Sequence, residues 1–220
     1  MRLPRGFVAS GVRAGIRKRR LDVAMIVAPD GAAAAAIFTT NKFLAAPVVI
    51  SRAALARAGG RVTGVVINVG CANAITGRKG MEAARRVRAR AATLLGCPAD
   101  EVFIASTGTI GSPLPDAQIR RALPMAVTRL NAGGLAAASR AILTTDAGPK
   151  VASATFSWGG RRGRVVGMAK GAGMIHPNMA TMLSFLMTDA PAAPAFLKAA
   201  LRDAADKSFN SISVDGDTST

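Results

Sequence analysis

Gly167-Met168-Ala169-Lys170-Gly171-Ala172-Gly173-Met174-Ile175-His176-Pro177-Asn178-Met179-Ala180-Thr181-Met182-Leu183 joins a loop rich in glycine, proline and asparagine to an apolar segment. At the junction a small residue, Ala180, precedes a hydroxyl residue, Thr181. A threonine hydroxyl is a weak nucleophile near neutral pH, but a free amine on the same residue can act as its base. Cleavage before Thr181 would place both groups on one residue. The same composition also describes an ordinary loop entering a strand or helix. Two readings therefore stand side by side, a chain that cuts itself to become a catalyst and a plain connection.

The 220 residues are enough for one or two domains with a real core. With 50% apolar and 19% charged residues the chain is expected to fold rather than stay disordered. Its apolar runs are too short for a membrane-spanning helix. Cys71 and Cys97 form no CxxC pair, so a reducing compartment and a cytoplasmic location are expected. Residues 1–20 are basic and lack the apolar centre of a secretory signal. Their arginines and missing acids faintly resemble a transit peptide, although 6–12 reads as the first structured segment. The net charge of +17 permits contacts to phosphates, but there is no tyrosine, one tryptophan and little alternation of aromatic and basic residues. A solvated arginine surface is the favoured reading, with no nucleic-acid or membrane partner. An acidic partner segment is a second explanation of the charge. His176 is the only histidine, so neither a multi-histidine metal cluster nor a Ser-His-Asp triad sharing several histidines can form.

Along the chain, 22–28 and 62–68 read as buried strands and 32–39 as strand or helix. An apolar run at 46–50 precedes a helix over 52–58 that Gly59-Gly60 stops. The clearest helix spans 80–95, with Met81, Ala84, Val87, Ala91 and Leu95 on one face and Gly96 at its end. A strand over 102–106 follows. Residues 115–126 and 130–141 read as helices, 150–158 and 164–169 as strands about a Gly159-Gly160 turn, 181–188 as a strand and 196–208 as a helix. The pattern is α/β without a strict βαβ period.

An acyl-transfer site needs donors for the oxyanion that develops in its transition state. Ser106-Thr107-Gly108-Thr109-Ile110-Gly111 ends a strand in small residues that leave backbone N–H groups free. By itself this is a strand-to-helix turn or a donor site. Lys170 alone would be a surface lysine, and Thr144-Thr145-Asp146 before Pro149-Lys150 would be a helix end followed by a turn.

These stretches together resemble the ornithine acetyltransferase family, the bifunctional glutamate N-acetyltransferases of arginine biosynthesis. Residues 6–16, 38–48, 68–77, 106–111, 144–150, 170–183 and 210–220 follow the family's blocks in order. The resemblance implies an α/β (α+β) sandwich of mixed sheets flanked by helices, of the self-processing N-terminal-nucleophile type related to the aminopeptidases. It implies autocleavage between Ala180 and Thr181, giving an alpha chain over 1–180 and the start of a beta chain over 181–220, and a heterotetramer of such chains. Thr181 is then the nucleophile, Thr107 and Gly108 the oxyanion hole, and Lys170, Thr181 and Thr144 or Thr145 the substrate contacts, with Thr144 favoured of the two. N-acetylornithine and glutamate are the implied substrates, with no metal and no cofactor; acetyl-CoA is a conceivable second donor. An aminopeptidase or amidase on the same scaffold and an inactive remnant are the rival readings. Val69 and Cys71 stand where the family is expected to carry serine and asparagine. The family's second chain extends well past the position of Thr220, so the sequence reads as ending mid-domain.

Overall fold

Alternation in strand β2 (Val23–Ala33) organises the first part of the molecule. Val23, Met25 and Val27 face one side and Ala24 and Ile26 the other, as a strand's two-residue period requires, and all five are buried. A strand buried on both faces needs cover on both. The computed structural model describes residues 1–178 and 181–217, and within them β2 lies between β1 (Val8–Val12) and β3 (Arg61–Cys71), antiparallel to each. Strand β4 (Val102–Thr109) joins β3 in parallel. A parallel pair cannot be closed by a tight turn, and helix α2 (Gly77–Leu95) makes the crossover. Gly96 ends α2 in the left-handed conformation, φ 66°.

Helices α1 (Ala46–Arg57), α2 and α3 (Asp116–Thr128) cover the Val23–Met25–Val27 face, where Ile50, Val87, Ile119 and Leu123 enter one core. On the opposite face Ala24, Ile26 and Ile67 meet Leu135 and Ala138 of α4 (Leu135–Ala141). Val166, Met168 and Met187 of a second sheet share that core. This sheet is antiparallel, in the order β5 (Lys150–Trp158), β6 (Arg161–Lys170), β7 (Leu183–Thr188), with α5 (Pro194–Asp206) after it. The architecture is therefore α+β, two sheets flanked by helices, as expected.

Four local expectations are corrected. The run 46–50 and the expected helix at 52–58 form one helix, α1, which ends at Arg57: Pro47 sits in its first turn, where no N–H is needed, and Ala46, Ile50 and Ala54 line its buried stripe. Of 32–39, only the part through Ala33 is strand. Helix α4 starts at Leu135 rather than 130, because Asn131 pairs with Ala9 and its Oδ1 accepts from Gly133 N at 2.9 Å, which turns the chain first. Strand β7 starts at Leu183 and leaves Thr181 outside it.

Candidate active site

The end of β4 is built around a close approach of two backbones. Val69 pairs with Thr107 and Gly70 with Gly108, after which the register slips. Gly108 has φ 133°, and a Cβ there would lie 2.4 Å from the carbonyl carbon of Gly70, so only glycine fits. Asn68 stiffens the turn: its Nδ2 donates to the Cys71 carbonyl at 3.0 Å, and its Oδ1 accepts from Ser106 Oγ at 2.6 Å. Cys71 is buried in this turn, donating to the Ser112 carbonyl at 3.2 Å, and burial pushes its thiol pKa up.

Lys170, the last residue of β6, reaches this turn from the other sheet. Its Nζ donates to Thr107 Oγ1 at 3.2 Å, and the two residues are only 3% and 8% exposed. Lys170 is also the register partner of Leu183 in β7. The chain leaving β6 and the chain entering β7 therefore run side by side, with Met182 against Gly171. Thr181 lies in the entering chain, two residues before Leu183. Its φ is 50°, a left-handed value that a β-branched residue rarely adopts. Among the described residues its Oγ1 is buried and finds no hydrogen-bond partner. Such an unmet hydroxyl costs about 1–3 kcal/mol, and its persistence calls for a reason. Ala180, on the other side of the expected cleavage point, lies outside the described residues.

A third segment is tied to the same place by Asp146. Its carboxylate is fully enclosed and accepts from Gly171 N at 2.8 Å, Thr144 N at 3.2 Å and Lys150 Nζ at 2.5 Å. Burial opposes its ionisation, but the Lys150 ammonium and the two N–H groups prevail and hold the carboxyl at about 2. Lys170 responds to the same surroundings: burial pulls its pKa down, the Asp146 charge resists and the Lys150 charge adds to the fall. Thr144 is half-buried and joined to this cluster, whereas Thr145 is exposed.

The loop before Thr181 is held from behind by the segment after α5. Asp215 accepts from Met174 N at 2.7 Å and Ile175 N at 3.2 Å, and Asn178 N donates to Asn210 Oδ1 at 3.2 Å. The Met174 N–H, with those of Asp217 and Ile175, holds the Asp215 carboxyl below its usual range against partial desolvation. His176 is exposed.

The structure thus brings Thr107 and Lys170 into contact, with Gly108 next to Thr107, and ties Thr144 to Gly171 through Asp146; Thr181 stands two residues before Leu183, the register partner of Lys170. Asp146, Asp215, Asn210 and Asn68 were not singled out from sequence as site-building residues. Their partners lie in distant segments, and the only local signal was their place inside the recognised blocks. Cavities of about 360 Å³, bordered by Ser10, Arg129 and Asn131, and about 520 Å³, bordered by Arg2, Arg5, Asp30 and Arg164, lie elsewhere. Among the described residues no three His, Cys, Asp or Glu side chains cluster as metal ligands, and no helix is long and apolar enough to cross a membrane. Among the described residues Thr181 thus carries a buried hydroxyl without a partner, and Thr107 a hydroxyl bonded to an ammonium next to a glycine.

Comparison with known proteins bears on these residues. The profile of the ArgJ family matches residues 8–220. The mitochondrial arginine biosynthesis bifunctional protein ArgJ of Paracoccidioides brasiliensis strain Pb03 is 48% identical over 231 residues, which cover 99% of this chain and 49% of that protein. The chain thus spans about half the length of the curated relatives it matches. Among solved structures, the arginine biosynthesis bifunctional protein of Bacillus halodurans is 37% identical with a TM-score of 0.76, covering 80% of this chain and 92% of that one. The ornithine acetyltransferase of Mycobacterium tuberculosis, solved with ornithine, is 33% identical with a TM-score of 0.68, covering 84% and 94%. The mitochondrial naming of the fungal relatives overturns the expected cytoplasmic location. Cysteine usage could not have decided this, because few cysteines fit any reducing compartment, and an address is carried by targeting segments rather than by a folded core.

Proposed function

Because the chain belongs to the ArgJ family, we propose that it moves the acetyl group of N-acetylornithine to glutamate through an ester on Thr181, after cutting itself between residues 180 and 181. In this reading the new amine of Thr181 takes the proton from its own Oγ1 as that oxygen attacks the acetyl carbonyl. The Thr107 hydroxyl and Gly108 N–H donate to the oxyanion. The tetrahedral species collapses with loss of ornithine, whose nitrogen receives the proton. Glutamate's amine then attacks the acetyl ester, N-acetylglutamate leaves, and the Thr181 hydroxyl is restored. Lys170 and Thr144 line the substrate side. The exchange needs no cofactor, and acetyl-CoA enters only as a second donor to the same threonine. The two pieces form an alpha and a beta chain, assembled as a heterotetramer.

The observation that carries this reading is the buried Thr181 hydroxyl, without a partner among the described residues, on the chain leading to Leu183, the register partner of the Thr107-bonded Lys170. Two others support it. The left-handed backbone at Thr181 stores strain next to the bond to be cut. The β6–β7 pairing from Val165–Thr188 to Lys170–Leu183 would hold the two pieces together afterwards.

The test is an assay of the purified chain with N-acetylornithine, with and without glutamate. N-acetylglutamate is expected only when both are present, with the mass of one acetyl group trapped on the Thr181 piece. Hydrolysis that ignores glutamate, or an acetyl group found on any other residue, would contradict the reading.

A further inference from the structure

We infer that Lys170 is a positioning residue for the oxyanion donor: its ammonium makes the Thr107 oxygen an acceptor, so that the hydroxyl hydrogen is turned toward the reacting carbonyl. This rests on the acetyl transfer proposed above and gives Lys170 a task different from binding substrate. A threonine hydroxyl has one hydrogen and two lone pairs, whereas an ammonium can only donate. At 3.2 Å between Lys170 Nζ and Thr107 Oγ1 the direction of the bond is therefore fixed. The Thr107 hydrogen must point elsewhere, and the positive charge behind the oxygen makes it a stronger donor.

The surroundings hold Lys170 to this task. It is 3% exposed, and among the described residues it forms no ion pair. Its companion acid, Asp146, is occupied by Lys150, Thr144 N and Gly171 N. That last bond anchors the residue after Lys170, so Asp146 steadies the lysine through the backbone while its charge supports the ammonium against burial. A buried ammonium bonded to a neutral hydroxyl is a costly arrangement, which fits a group kept for what it does to Thr107.

A double-mutant cycle with two acetyl donors tests this. The variants are Lys170→Met, Thr107→Val and the pair; the donors are N-acetylornithine, which carries a carboxylate, and p-nitrophenyl acetate, which does not. Losing an oxyanion donor costs about 100- to 1,000-fold in kcat, and weakening one is expected to cost ~10- to 100-fold. Lys170→Met should lower kcat by that factor with both donors, leave KM for N-acetylornithine within about threefold, and add nothing in the Thr107→Val background. A loss confined to N-acetylornithine and expressed in KM would make Lys170 a carboxylate binder and overturn the inference. Equal losses in both backgrounds would also overturn it. If Lys170→Met does not fold, Lys170→Leu, which also removes the donor, carries the same cycle. Should wild type fail to acylate Thr181, the proposed function fails separately. The Lys170–Thr107 bond is then read from urea midpoints of the same variants, where non-additive shifts are expected and additive shifts would overturn the inference.

Discussion

The two sheets share a core but are covered very differently. The first is enclosed on both faces: Val23, Ala24, Met25, Ile67, Val102, Ile119 and Leu123 are all 0% exposed. In the second, β6 and β7 bury Val166, Met168 and Met187, whereas β5 exposes every residue from Lys150 to Ser157 on both of its faces. Stability therefore resides in the first sheet and its helices, and the candidate chemistry sits at the seam. Thr107 and Gly108 come from the first sheet, Lys170 from β6 of the second, and Thr181 from the chain just before β7. The proposed oxyanion donors then stand on the enclosed sheet, and the proposed nucleophile on the segment that leads into the second one.

The largest expected effect falls on Gly108. Gly108→Ala would drive a Cβ into the backbone of Gly70 at a positive φ, and a loss of about 4 kcal/mol is expected in urea unfolding. In the second sheet the nearest atoms that a Gly163→Ala Cβ would meet are ring atoms of Phe156 and Trp158 at 2.6 Å. Those rings can swing aside, so it should cost less than about 1 kcal/mol. If the two substitutions cost the same, the contrast between the sheets is broken.

Next comes the core itself. Leu123→Ala should cost about 3 kcal/mol, through lost transfer energy and the cavity left behind. Val151→Ala, at a site 36% exposed on β5, should cost less than about 0.5 kcal/mol. Chemical denaturation of the pair sharpens the comparison.

Asp146 at the seam gives a smaller effect with a distinct pH signature. Its carboxyl is held at about 2 against an ordinary 3.8, so between these values the folded chain binds fewer protons than the unfolded one. The resulting stabilisation, about 2 kcal/mol, is present above pH 4 and is lost as pH falls toward 2. Asp146→Asn should remove it at neutral pH and flatten that part of the acid limb. An unchanged acid limb in the variant would show that Asp146 does not bind the seam together.

Much of the first sheet was legible because its signals are local. The apolar runs of β2 and β3 and the one-sided face of α2 with its Gly96 stop need no distant partner to be read, and the same holds for the Gly159-Gly160 turn of the second sheet. Thr181, Thr107-Gly108 and Lys170 stood out through residue type and through resemblance to a known set of blocks. The missed features depend on contacts far apart in sequence: Asp146 meets Gly171, and Asp215 meets Met174. A lone carboxylate in a turn looks the same whether it faces water or organises three segments. The merging of 46–58 into α1 was hidden because the Pro47-Val48-Val49-Ile50 run has strand character until the β4 contact of Ser51, whose Oγ donates to the Ile104 carbonyl at 2.8 Å, fixes it as helix.

Cleavage of the bond before Thr181 is tested most directly by the intact mass of the purified chain beside its Thr181→Ala variant. Wild type should give two pieces, the second beginning at Thr181, while the variant remains a single chain. An uncut wild type, or a variant cut at the same place to the same extent, would contradict it.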